Sequence, residues 1–204
     1  MNLKTYEGYY NPKLRFTENI PINWRVNKVK HILKNRNESN NPIKSKNILS
    51  LTAAKGVIPY SEKGDIGNKA KEDVSSYKLA YPNDIVMNSM NAVIGSINIS
   101  HYFGCVSPVY YMFYADDENI NINYYNYIFQ TKTFQRSLEG LGNGILDIRM
   151  RIPLDKFNQV LLPIPPKETQ DIIVKYLDAK ITKINTLIEK NQHLLTYLMK
   201  KGLL

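Results

Sequence analysis

The C-terminal part of this chain admits few folds. The prolines of Leu162-Pro163-Ile164-Pro165-Pro166 halt whatever precedes them, and beyond them Val174, Leu177, Ile181, Ile184, Ile188, Asn191, Leu195 and Leu198 recur three and four residues apart. That spacing is the seam of a coiled coil and predicts one helix from about Thr169 to Lys200. At about 1.5 Å per residue such a helix is ~48 Å long. Glu168 and Asp171 near its start and Lys200 and Lys201 near its end complement the helix dipole, and Gly202 supplies a stop. A seam of this kind needs a partner. The rest of the sequence holds no helical run of matching length, so a second copy or another subunit is implied.

Residues 1–24 are punctuated by Tyr and Pro and read as an extended arm, pinned to the rest by Ile20-Pro21-Ile22-Asn23-Trp24. A short amphipathic run follows from Val26 to Leu33, and then a polar stretch, Lys34 to Pro42, reads as a mobile loop. Short β-branched or aromatic runs at Ile48–Leu51, Asp84–Met87, Ala92–Ile97 and Val106–Tyr114 predict strands of a bent sheet. From Asn123 to Glu139 the period changes to that of a helix, which stops at Gly140. Two more strand-like runs, Ile145–Ile152 and Val160–Ile164, lead to the prolines; in the first, Arg149 and Arg151 share one face. The expected fold class is α+β, with a compact β-rich domain over residues 1–166 and a dimerising coiled-coil helix over residues 167–204.

Charge narrows the partners. The net charge is +9, and residues 25–78 carry twelve Lys/Arg against five acids, so that segment holds +7 of it. A basic, turn-rich segment suits a polyanion, because each neutralised phosphate releases condensed counterions; solvated lysine-rich loops are the plain alternative. The expected DNA contacts are Lys44, Lys46, Lys55 and Lys63 in that segment, Asn88, Ser89 and Asn91 in a turn, Asn143 in the Gly-rich turn, and Arg149 and Arg151. Amide side chains can read adenine edges, and arginine reaches guanine or phosphate. The N-terminus lacks the apolar core of a signal peptide, no stretch is long and apolar enough to span a bilayer, and Cys105 is the single cysteine, which together place the chain in the cytoplasm.

No catalytic constellation emerges. His31, His101 and His193 are far apart with no Cys, Asp or Glu at metal-ligand spacing, and Cys105 has no evident base. Gly140-Leu141-Gly142-Asn143-Gly144 lacks the Lys-Ser/Thr of a phosphate loop. Neither a metal nor a cofactor is expected, and the chain reads as a non-catalytic binding protein. A coiled-coil protein that binds nucleic acid or regulates a partner fits the same composition.

Three landmarks carry a family resemblance. Ile20-Pro21-Ile22-Asn23-Trp24 resembles the Ile-Pro-x-x-Trp opening of a target-recognition domain in the specificity subunits of type I restriction-modification systems. Leu162-Pro163-Ile164-Pro165-Pro166-Lys167-Glu168-Thr169-Gln170 is similar to their strand-to-helix junction, with Thr169 where the family usually has Glu. Tyr176-Leu177-Asp178 and Ile184-Asn185-Thr186-Leu187-Ile188 resemble the spacer helix beyond it. Family members normally carry two recognition domains and two long helices, and this chain has one of each. The resemblance therefore implies a half-length subunit that pairs with itself through antiparallel helices and reads an interrupted palindrome in double-stranded DNA. It also implies docking to modification methyltransferase subunits, which hold the S-adenosylmethionine chemistry, and through them to the restriction subunit. Asn191 sits awkwardly, since a buried Asn in a seam most often fixes parallel pairing.

Overall fold

The computed structural model describes residues 6–64, 69–142 and 151–203. At its centre lies a four-stranded antiparallel sheet in the order Lys34–Arg36, Tyr110–Tyr114, Ile85–Asn88, Ile97–Ile99. Ile85-Val86-Met87 is apolar without alternation because both of its faces are covered. Side chains on a strand alternate between faces, and the two cores follow from that rule. Ile85, Met87, Tyr111, Phe113 and Ile97 enter the main core, whereas Val86 and Met112 enter a second one with Leu49, Leu51, Val57, Ala80 and Val106.

Helices Ile122–Gln130 and Lys132–Ser137 contribute Tyr125, Phe129 and Phe134 to the main core, where Phe129 meets Phe134 and Phe157 at 4.7 and 5.9 Å between ring centres. The second core is closed by the hairpin of Leu49–Thr52 with Gly56–Pro59 and by the pair Lys78–Ala80 with Gly104–Val106. Arg25–Lys28 pairs with Leu161–Ile164, which tethers the end of the N-terminal arm to the strand that feeds the long helix. That helix spans Lys167–Lys200, 34 residues or ~51 Å. Among the described residues no helix is long and apolar enough to cross a membrane.

Several expected elements differ. Lys34–Arg36, read as the start of a mobile loop, is an edge strand, and Asn40 within that stretch is fully buried. Its amide donates to the carbonyls of Ser45 and Val74 and its oxygen accepts from the amides of Lys44 and Ser45, so the loop is organised around one asparagine. Ala92–Ile94 is a short 3-10 turn rather than strand, because the chain reverses through Gly95 at φ +99, and the strand begins only at Ile97. The run Val106–Tyr114 is divided between two strands. The helix expected over Asn123–Glu139 is broken at Thr131, which adopts an extended backbone and caps the second helix by accepting from the Phe134 amide. The strand expected over Ile145–Ile152 lies outside the described residues apart from its last two.

Candidate nucleic-acid interface and spacer helix

Two structures within the molecule bear on function, a cationic surface on the domain and the seam on the helix. On the domain, Lys44, Lys46 and Lys55 are exposed, and Lys55 stands on the turn between Leu49–Thr52 and Gly56–Pro59. Lys44 is joined to Glu38 at 2.6 Å, which raises the ammonium and lowers the carboxyl from their ordinary values. Lys63 lies over the Tyr60 ring, 5.0 Å from its centre.

The turn after Ile85–Asn88 is built from within. Ser89 is fully buried and its hydroxyl donates to the Val109 carbonyl, while the Asn88 side-chain oxygen accepts from the Met90 amide. Both side chains therefore shape the turn, and what it offers outward are Met90, which is 41% exposed, and the half-buried Asn91. The Ser89 carbonyl accepts from the Ile152 amide, and the Tyr111 hydroxyl donates to the Ile152 carbonyl. These two bonds bring Arg151 beside the turn although they are far apart in sequence. Asn143 and Arg149 lie outside the described residues.

Next to Arg151 stands Lys78, the last basic residue of the 25–78 segment and not among the expected DNA contacts. Its ammonium is half-buried against the Tyr110 carbonyl at 3.4 Å and the Tyr111 ring at 5.9 Å. Burial pushes the Lys78 ammonium below its ordinary value, and the nearby Arg151 charge adds to that. Neither cation has an ion-pair partner among the described residues. Two neighbouring cations without a carboxylate make a local positive potential that a phosphate would neutralise. Arg36 is a different case. Its guanidinium lies between the rings of Tyr81 and Tyr114, 4.5 Å from each centre, and bonds both oxygens of buried Asp84 at 2.8 and 3.2 Å. The bond to Asp84 raises Arg36, and burial holds the Asp84 carboxyl above its usual range against that guanidinium. Its donors are committed to fixing the edge strand.

The start of the long helix is welded to the domain. No side chain caps it at Pro166; fully buried Gln170 instead donates to the carbonyls of Asn119 and Pro165 at 3.1 and 2.9 Å and accepts from the Asn121 amide at 2.9 Å. Asp171 accepts from Asn121 at 2.6 Å and from Lys167 at 2.6 and 2.7 Å, which holds its carboxyl below the usual range. Two turns further the Tyr127 hydroxyl donates to Asp178, and burial together with that carboxylate pushes the phenol up to about 12. Val174, expected on the seam, is only 8% exposed and belongs to the main core of its own domain. Beyond it Leu177 is half-buried, and from Ile181 to Leu195 the apolar stripe is exposed. Ile181, Ile184, Leu187, Ile188, Leu194 and Leu195 are 42–54% exposed.

The profile of the type I restriction modification DNA specificity domain matches residues 21–196. The chain belongs to this family. The type I specificity fold is also found among solved structures. The S subunit HsdS from Thermoanaerobacter tengcongensis aligns with 88% of this chain at 20% identity and a TM-score of 0.52. The S subunit of a type I restriction-modification system from M. genitalium aligns with 89% at 14% identity and a TM-score of 0.53. A structure described as the basis of complex assembly and conformational transition of the type I R-M system aligns with 82% at 20% identity and a TM-score of 0.55. The chain spans 41%, 46% and 40% of the lengths of these three, less than half of each. Comparison with curated proteins gives no match.

Proposed function

We propose that this specificity domain recognises double-stranded DNA as a homodimer, without catalytic activity of its own, and directs associated subunits to a bipartite, palindromic site. The observation that carries the reading is the exposed seam from Ile181 to Leu195 on a helix whose first turns are welded to the domain. Identical domains related by a two-fold axis read the same half-site on opposite strands. Antiparallel helices put the two domains at opposite ends of the rod, and one helix of ~51 Å already exceeds one DNA turn of about 34 Å, so the half-sites lie a turn or more apart.

The contact surface is proposed to include Lys44, Lys46, Lys55, Lys63, Lys78 and Arg151, with Asn91, Asn143 and Arg149 supplying base contacts. Asn88 and Ser89 act by shaping the turn. By family membership the dimer docks modification methyltransferase subunits and, through them, the restriction subunit. The domain division is proposed at Pro166, with the first turns of the helix serving as the joint.

Binding selection from a randomised duplex library, followed by gel shift, tests this reading. Enrichment of an inverted repeat with a fixed gap is expected. Equal binding to all sequences, with methyltransferase subunits present, contradicts it.

A further inference from the structure

We propose that Asn191 marks the two-fold axis of the homodimer, pairing with the partner's Asn191 where two antiparallel helices cross; this rests on the homodimer reading above. The first step is the direction of the helices. The face that would continue the seam toward the N-terminus is already occupied, since Val174 and Gln170 are buried against their own domain. Parallel helices would bring both domains to this same face at the same end of a pair only about 8–10 Å between axes, where they collide. Antiparallel helices avoid this, because the partner's helix can end where the domain begins.

The second step is the register. The exposed seam residues run from Ile181 to Leu195, with half-buried Leu177 on the domain side and half-buried Leu198 in the last turn; the run from Ile181 to Leu198 has its midpoint between Glu189 and Lys190. A two-fold axis there sets Ile181 against the partner's Leu198, Ile184 against the partner's Leu195, and Ile188 against the partner's Asn191. Residues beside the seam agree with this register. Leu187 meets the partner's Leu194, apolar with apolar, and Asn185 meets the partner's Gln192, polar with polar. The helix end at Lys200 then lies opposite Ala179, just beyond the Tyr127–Asp178 joint.

Asn191 discriminates among the alternatives. In this register the two Asn191 side chains lie three residues apart along the axis, about 4.5 Å, close enough for the amides to bond each other. A shift of one heptad toward the domain needs Val174 in the seam and sets Asn191 against the partner's Ile181. The opposite shift sets Asn191 against the partner's Leu195 and leaves Ile181 and Ile184 uncovered. Both leave a buried amide without a partner, which disfavours them by about tenfold or more in population. A polar seam residue is a known means of fixing register at some cost in stability.

Cysteine pairs in the full-length chain test this, and the one native thiol, Cys105, is buried. Ile181→Cys with Leu198→Cys is expected to oxidise to a dimer linked from 181 to the partner's 198, mapped by peptide mass spectrometry. Leu177→Cys with Leu195→Cys, which reports the shifted register, is expected to link at least about tenfold less. Adding Asn191→Leu is expected to raise that second link, because the shifted register then buries no amide. A link from 181 to the partner's 181 overturns the antiparallel arrangement. An equal or stronger link from 177 to the partner's 195 overturns the register, and indifference to Asn191→Leu overturns the role of Asn191. Light scattering on the unsubstituted chain separates these outcomes from a failure of the homodimer itself, which shows as a monomer at micromolar concentration.

Discussion

Replacing Gln170 with methionine is expected to destabilise the domain while leaving its shape intact. Methionine fills nearly the same volume, so the change removes hydrogen bonds without opening a cavity. Three backbone groups lose their partner, namely the carbonyls of Asn119 and Pro165 and the amide of Asn121. The side chain is fully buried, and orphaned groups at such a site cost about 1 kcal/mol each, about 3 kcal/mol together. For a chain of this size each kcal/mol lowers Tm by roughly 2–4 °C, so a loss of about 6–12 °C is expected. Urea unfolding followed by circular dichroism and by tyrosine fluorescence measures it. Gln170→Glu is expected to be as severe, because a carboxylate repels both carbonyls. If Gln170→Met unfolds at the wild-type midpoint, the reasoning that this amide holds the helix to the domain is wrong.

Lys78→Ala and Arg151→Ala are each expected to weaken DNA binding uniformly across sequences and to reduce the slope of log K against log salt by about 1, read from binding isotherms between 50 and 200 mM salt. Ile184→Lys places a charge in the uncovered seam and is expected to convert the dimer to a monomer at micromolar concentration by light scattering, with the unfolding midpoint of the domain unchanged. Asp171 is expected to titrate below the ordinary carboxylate range by NMR, and Lys167→Met to move it upward. Because its folded-state value is depressed, its contribution to stability is present above about pH 4 and is lost as pH falls through the folded value.

How much of this was legible beforehand depends on whether the controlling interaction is local. The strand Ile85–Asn88 was readable because burial on both faces writes itself into a continuous apolar run. Lys34–Arg36 was not, since a polar edge strand is held by distant groups: Asn35 donates to the Met112 carbonyl, and Arg36 is fixed by Asp84, Tyr81 and Tyr114. The break at Thr131 had a local sign, a threonine able to cap, yet the apolar spacing of Phe129, Phe134 and Leu138 ran through it unchanged. Periodicity also placed Val174 with the seam. A heptad pattern states that a face is apolar without stating what covers it, and here the first turns are covered by the chain's own domain. Gln170 stands in the Pro165-Pro166 junction, but its role comes from Asn119 and Asn121, some fifty positions earlier, which the fold brings to it. Likewise Lys78 gained its significance from Arg151, a neighbour only through the Ile152 contacts to Ser89 and Tyr111.

The measurement closest to the central claim is genome-wide mapping of methylated bases in host cells with and without this gene, the cognate methyltransferase subunit being present in both. Two identical domains at opposite ends of an antiparallel rod predict a symmetric bipartite motif that disappears with the gene. An asymmetric motif, or one unaffected by the deletion, contradicts the account.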